Sequence, residues 1–221
     1  MTLAPIKAEV LSVKFIPNVS KDLAKDLQLQ PEQRSIGMFT CSIDDVGYTA
    51  VDEATKKAVV EVVYAKSFYA GAAHSSGPLS GEFIGILAGP NPAEVKAGLE
   101  AAVQLINDEA FFYSADEDGK IVFYAYTISR TGSYLSKMAG INEGDPLAYL
   151  IAPPIESIYG VDAALKAADV EMALWYGPPS ETNFGGALLT GSQSACKAAT
   201  EAFSNAVISV TRNPKDYEDK S

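Results

Sequence analysis

Histidine is all but missing from this chain: His74 is the only one among 221 residues. Cysteine is nearly as scarce, with Cys41 and Cys196 alone. The spacings CxxC, HExxH and GxSxG are absent, so the usual outlines of zinc sites, zinc proteases and serine hydrolases are missing. Two cysteines make no disulfide framework, and a reduced cytosolic protein is expected. Basic residues are the minority, with 17 Lys and Arg against 28 Asp and Glu, for a net charge of −11. Nucleic acid needs a basic face and is therefore not an expected partner. The glycine-bearing stretches lack both GxGxxG spacing and a phosphate-loop lysine, which leaves nucleotide binding without support. No apolar run approaches the roughly 20 residues that cross a bilayer. The N-terminus has no charged segment followed by an unbroken apolar run, so neither a signal peptide nor a membrane partner is expected.

What the chain does have is a pattern written twice. Gly81 to Ile106 reads GEFIGILAGPNPAEVKAGLEAAVQLI, and Gly185 to Val210 reads GGALLTGSQSACKAATEAFSNAVISV. Each has a glycine, a short apolar run, a second glycine (Gly89, Gly191), a polar turn and an amphipathic helix. Asn91 and Ser194 are candidate helix caps, whose side-chain oxygens would accept an orphan backbone N–H. Val95, Leu99, Val103 and Ile106 share one helical stripe, as do Ala199, Phe203, Val207 and Val210. Hydrophobic residues make up 48% of the chain, enough for cores, and the length suits two domains of about 100 residues each.

The rest of the sequence obeys the same repeat. Glu9 to Ile16 alternates and predicts a strand. Ser20 to Leu29 predicts a helix capped by Ser20 and ended by Pro31. Ser35 to Ser42 is a second strand with Asp44-Asp45 at its mouth, Asp52 to Lys57 a short helix, and Val59 to Ala65 a third strand. Lys66 to Ser80 has no period and predicts a long loop, a kind of segment that often carries function. Phe111 to Tyr113 is an aromatic cluster, Asp116 to Gly119 a turn, and Lys120 to Ser129 a strand. There the cycle restarts. Ile128 follows Ile16, and Leu135 follows Leu23, by 112 residues. Gly140-Ile141 stands where Gln28-Leu29 stood. Leu147 to Ala152 answers the second strand, Val161-Asp162 follows Val51-Asp52 by 110 residues, and Val170 to Trp175 answers the third strand. The offset falls to 102 between Gly89 and Gly191, so the second long loop, Tyr176 to Phe184, is the shorter. The expected fold class is α+β: per half, a mainly antiparallel sheet with helices over one face. The expected domains are residues 1–108 and 109–221, and a tandem repeat of this kind invites closed cyclic assembly.

Candidate chemistry is thin. His74 reads as a solvated loop histidine, or as a catalytic group needing partners from elsewhere. Cys41 falls inside a strand and Cys196 in the first turn of the last helix, where a thiol pKa can drop; buried structural cysteines are the plainer reading. Asp44, Asp45 and Glu82 are three acids at strand ends in one half. A solvated acidic surface is one account of them. A small-cation site is the other, completed by Thr182, Asn183 and the ring of Phe184.

The segments DEATKKAVVEVVYAKSFYAGAAH (52–74), GPNPAEVKAGL (89–99), SRTGSYLSKMAGI (129–141), AYLIAPP (148–154) and PPSETNFGGALLTGSQSACKAA (178–199) resemble the tandem-domain family of bacterial microcompartment shell proteins, in its ethanolamine-utilisation branch. The resemblance runs from about Val10 to Pro214. It implies two circularly permuted microcompartment domains per chain, a pseudohexameric homotrimer, and assembly with other shell proteins into the microcompartment shell. No enzymatic activity, catalytic residue, metal site or cofactor comes with it. It implies a central pore gated by loops, here those of Phe68, Tyr69, His74, Pro178 and Glu181. It also implies small acidic pores that bind ethanolamine, here through Asp44, Asp45, Glu82, Phe112, Thr182, Asn183 and Phe184. Protonated ethanolamine is a small cation, and acids lining a pore favour cations. Cobalamin and zinc are ligands met in the family; no residue of this sequence is assigned to either. Two other classes stay open beside the shell protein. One is an amine-binding sensor that regulates a partner without shell assembly. The other is an enzyme relying on His74 or Cys196.

Overall fold

The structure, a computed structural model, describes residues 4–68, 77–180 and 183–215. Its elements are β1 (Pro5–Lys7), β2 (Val10–Ile16), α1 (Lys21–Asp26), β3 (Ser35–Cys41), α2 (Asp44–Lys57), β4 (Glu61–Ser67), β5 (Phe83–Gly89), α3 (Pro92–Asp108), β6 (Phe111–Ser114), β7 (Val122–Ile128), α4 (Ser133–Ala139), β8 (Leu147–Ala152), α5 (Pro154–Ala167), β9 (Val170–Tyr176), β10 (Gly185–Gly191) and α6 (Gln193–Arg212). The expected repeat is there element for element: β2-α1-β3-α2-β4-β5-α3, then β7-α4-β8-α5-β9-β10-α6.

The chain forms two compact units. One holds residues 7–111 and 131–144; the other holds 4–6, 112–130 and 145–215. In the first, the sheet order is β2-β3-β5-β4, every pairing is antiparallel, and α2 and α3 pack on each other and on the sheet. Its core joins Ile36 and Phe39 of β3, Phe83 and Leu87 of β5, Val51 of α2, and Val95 and Ile106 of α3. The helix α4 completes this unit by packing on α2 and β4. In the second unit the order is β1-β6-β7-β8-β10-β9. Its run β7-β8-β10-β9 repeats the other sheet's order, with α5 and α6 packed together. Phe123, Leu150, Val161, Leu189, Cys196, Ala199, Phe203 and Val207 form its core. All six residues of β8 are buried, as befits a strand flanked by β7 and β10.

The repeat reaches down to helix ends. After α1, Gln28 takes a left-handed φ of 56° and the Leu29 N–H turns back to the Ala24 carbonyl at 2.9 Å. After α4, Gly140 takes φ 67° and the Ile141 N–H turns back to Ser136 at 3.0 Å. Both close the helix with the same six-to-one hydrogen bond, which uses up a carbonyl that would otherwise be orphaned.

Several boundaries differ from the sequence expectation. The helix expected over 20–29 ends at Asp26, because that left-handed turn intervenes before Pro31. The short helix expected from Asp52 begins at Asp44, so the two adjacent acids occupy a helix's first turn, where the dipole favours negative charge. The third strand runs two residues later than expected: Val59 is 68% exposed and lies in the turn before β4. The cap of α6 is Ser192, whose Oγ accepts the Ala195 N–H at 3.1 Å; Ser194 hydrogen-bonds to that cap. The aromatic cluster at Phe111 is a strand, β6.

Candidate functional site

The acidic corner is built where β3 hands over to α2. Cys41 ends β3 and pairs across the sheet with Phe83, the first residue of β5. One residue earlier, the Glu82 N–H donates to the Cys41 carbonyl at 2.9 Å, and the Glu82 carbonyl accepts the Phe68 N–H at 3.0 Å. Glu82 thus continues the sheet on both sides. Gly81 makes that close approach possible: its φ is +62°, and a Cβ there would collide with the Cys41 carbonyl oxygen. On the other side of the corner, Asp44 and Asp45 open α2, whose cap residue Ile43 offers no side-chain hydrogen bond. Asp44 supplies one itself, its Oδ1 accepting the Asp45 N–H at 3.0 Å. The Thr49 hydroxyl donates to the Asp45 carbonyl at 2.9 Å. Both aspartates are 7% exposed.

Three groups here feel one another electrostatically. Burial, and after it the Asp44 charge, raises the Glu82 pKa above the ordinary glutamate value. Burial pushes the Cys41 thiol up to about 12, with the Asp44 and Glu82 charges adding to the same direction. Desolvation and neighbouring anions both disfavour a further negative charge, so Cys41 is a poor nucleophile. Cys196 is also raised, chiefly by burial, and its position at a helix start does not make it reactive. Chemically, the corner gathers three carboxylates beside a thiol that stays protonated, and among the described residues it offers no activated nucleophile. Among the described residues no three His, Cys, Asp or Glu side chains group to hold a metal ion.

The structure brings Asp44 and Glu82 together, with Asp45 beside them, and ties Phe68 to Glu82 through the backbone. Phe112, Asn183 and Phe184 belong to the other unit. Phe112 is 4% exposed and stacks on Tyr124 at 5.1 Å between ring centroids. Asn183 is exposed with φ 66°, and its N–H donates to the Ser180 carbonyl at 3.3 Å. The Ser180 N–H donates to the carbonyl of half-buried Phe184 at 2.7 Å. Pro178 is half-buried in the same loop. Tyr69, His74, Glu181 and Thr182 lie outside the described residues. Sequence reasoning missed Tyr48, one turn after Asp44. Its hydroxyl accepts the Ser67 N–H at 2.9 Å, and its ring stands edge-on to Phe83 at 4.9 Å. Its spacing of four from Asp44 was the available signal.

Residues 35–115 match the family model described as the BMC domain. The chain is 62% identical to the bacterial microcompartment shell protein EutL of Clostridium perfringens, over 96% of this chain and 98% of the relative. It is 54% identical to the EutL of Escherichia coli, over 95% of each. The crystal structure of the ethanolamine utilization protein EutL from Leptotrichia buccalis superimposes with a TM-score of 0.94 at 63% identity, covering 98% of this chain and 100% of that one.

Proposed function

This chain belongs to the bacterial microcompartment shell proteins, and from that premise we propose that three copies close into a flat ring that presents six repeats and tiles the shell of an ethanolamine-utilising compartment. Its work is structural. The observation that carries the reading is the repeat itself: two units with the same strand order, β2-β3-β5-β4 and β7-β8-β10-β9. Two equivalent units per chain give a three-chain ring the outline of a hexagon, and closed cyclic rings are the common result of head-to-tail contacts that close. In this reading residues 1–108 and 109–221 are the two microcompartment domains. The tile assembles edge to edge with other copies and with other shell proteins.

The finer part of the proposal concerns passage. Asp44, Asp45 and Glu82 bind small ammonium compounds such as ethanolamine, by charge. The loops that follow Phe68 and precede Phe184, with Pro178 among their residues, gate a central channel. Electron microscopy of the purified protein tests the structural part: extended sheets with hexagonal spacing support it, and particles that never associate contradict it. Calorimetric titration with ethanolamine tests the finer part. Binding that is lost in Glu82→Gln supports the acidic corner; unchanged binding removes it. A protein that binds ethanolamine but never assembles would fit an amine sensor instead.

A further inference from the structure

The two units share a strand order but differ at one sheet edge. In the unit of β7-β8-β10-β9, the outer edge of β7 is paired: β6 lies antiparallel to it, with Tyr113 opposite Phe123. The Tyr113 and Phe123 ring centroids stand 6.2 Å apart, and Tyr113 packs on that unit's core. The strand that matches β7, at an offset of 112, is β2, and it ends its sheet. Among the described residues β3 is its only partner strand. Its one register shift lies at its start, between Val10 and Ser12, and the pairing from Ser12 to Ile16 is regular.

Beside this open edge lies a groove of about 300 Å³, lined by Val13 of β2 and by Leu99, Glu100, Val103, Gln104 and Asp108 of α3. Val13 is 39% exposed, whereas its counterpart Ala125 packs against the core of its own unit. Both charged groups in the lining are acids. The lysines nearest in the chain are turned onto rings. Lys96 Nζ sits 5.3 Å from the Phe15 ring centroid. Lys7 Nζ sits 5.1 Å from that of Phe111 and donates to the Asn107 carbonyl at 2.9 Å.

We propose that this edge receives an extended segment of another protein, one that pairs with β2 as β6 pairs with β7 and carries an aromatic side chain between two basic ones. An open strand edge offers backbone donors and acceptors to any extended chain, and side-chain pockets beside it choose among chains. The strand β6 shows what this fold accepts at that place: a short strand with a ring on the core side. In the groove such a ring lies over Val13, Leu99 and Val103. Glu100 and Asp108 are eight residues apart on α3, about 12 Å along a helix axis. Residues four apart in a strand point the same way and stand about 13 Å apart. A segment reading basic–x–aromatic–x–basic therefore sets one cation by each acid, with its ring between them. The chain's own segments do not fit. β6 is taken up on β7. The C-terminal run offers Lys215 and Tyr217 at the right spacing but puts Asp219 where the second cation belongs. The groove lies within one unit, so this inference goes beyond the ring reading and does not depend on it.

The probe is a fluorescein-labelled heptapeptide, Thr-Lys-Thr-Tyr-Thr-Lys-Thr, titrated with the full chain and read by anisotropy. Saturable binding is expected, and replacing its Tyr by Ala should abolish it. The double variant Glu100→Lys, Asp108→Lys changes two exposed side chains and should fold with a wild-type circular dichroism spectrum. It should bind about tenfold more weakly, as the reversal of two surface ion pairs allows. A peptide with Glu for both Lys should prefer that variant to the wild type. Hydrogen exchange read by mass spectrometry should slow over residues 10–16 when the lysine peptide is present. Failure of the lysine peptide to saturate overturns the proposal, as does equal binding by the charge-reversed variant. Binding that leaves exchange in β2 unchanged overturns the strand pairing. A chain ending at Pro214 that binds the peptide at least tenfold more tightly, about 1.4 kcal/mol, makes the chain's own tail the occupant and overturns the foreign partner.

Discussion

The Asp52 carboxylate accepts the backbone N–H of Leu135 at 2.8 Å across 83 residues of chain. A buried carboxylate at the centre of a helix is costly unless its oxygens are hydrogen-bonded, and here α4 supplies the donors. The same bonds satisfy N–H groups at the start of α4, whose own cap residue is Gly132 without a side chain. One aspartate therefore serves two elements.

Replacing that aspartate should be expensive. Asp52→Ala leaves the Gly132 and Leu135 N–H groups buried without a partner, at a cost of about 1–3 kcal/mol per unsatisfied group. Urea denaturation followed by circular dichroism reads it as a lower midpoint. A variant as stable as the wild type would show that α4 is held by packing alone.

Asp52 also gives a pH signature. Burial raises its pKa above 3.8, opposed by the Gly132 and Leu135 hydrogen bonds and by Lys56. The folded state then holds the proton more tightly than the unfolded state. Its contribution is most favourable below the ordinary carboxylate pKa and is lost as pH rises from there through the raised value. The stability of the wild type relative to Asp52→Asn should therefore fall as pH rises across that window. A difference that is flat with pH, or that grows, contradicts the assignment.

Much of this was legible in the sequence. LAYLIA at 147–152 coincides with β8, and the offset of 112 that aligned Leu23 with Leu135 also aligns two helix ends closed by the same turn. Those features are local: an apolar run, a cap, a spacing. The burial of Asp52 was not legible, because its partners lie 80 and 83 residues away and nothing near it in the chain announces them. The start of α2 at Asp44 was missed for a related reason. Gly47 and Tyr48 interrupt the apolar stripe there, and packing on Phe83, not propensity, holds the first turns. At the acidic corner the three carboxylates were legible; the Gly81 turn that sets Glu82 against Cys41 was not.

That turn makes a prediction of its own. Gly81→Ala would demand a left-handed backbone from a residue that rarely adopts it and place a methyl against the Cys41 carbonyl. Stability should drop by about 1–3 kcal/mol, and ethanolamine binding should weaken because Glu82 is carried with the turn. Thermal melts and calorimetry on the same preparation check both. Unchanged binding in a destabilised protein would separate Glu82 from the ligand.

Glu82 should make amine binding pH-dependent. Its pKa is raised by burial and by Asp44, and only the ionised form attracts an ammonium. Affinity should be highest at neutral pH and fall as pH drops through a midpoint above 4.5. Glu82→Gln should fail to bind across the same pH range. A midpoint at or below the ordinary glutamate value would contradict the burial of Glu82 and, after it, the proximity of Asp44.

Both thiols should be silent. Cys41 and Cys196 are 0% exposed and both are raised by burial. A thiol-reactive dye at pH 8 should count none in the folded protein and two after denaturation. Rapid labelling of the native protein would show that either core opens easily.

The central claim is that six repeats form one ring, and solution mass tests it most directly. Light scattering on a sizing column should give about 70 kDa, three times the 23.4 kDa chain. A single species at 23.4 kDa, or at twice that, at high concentration would contradict it.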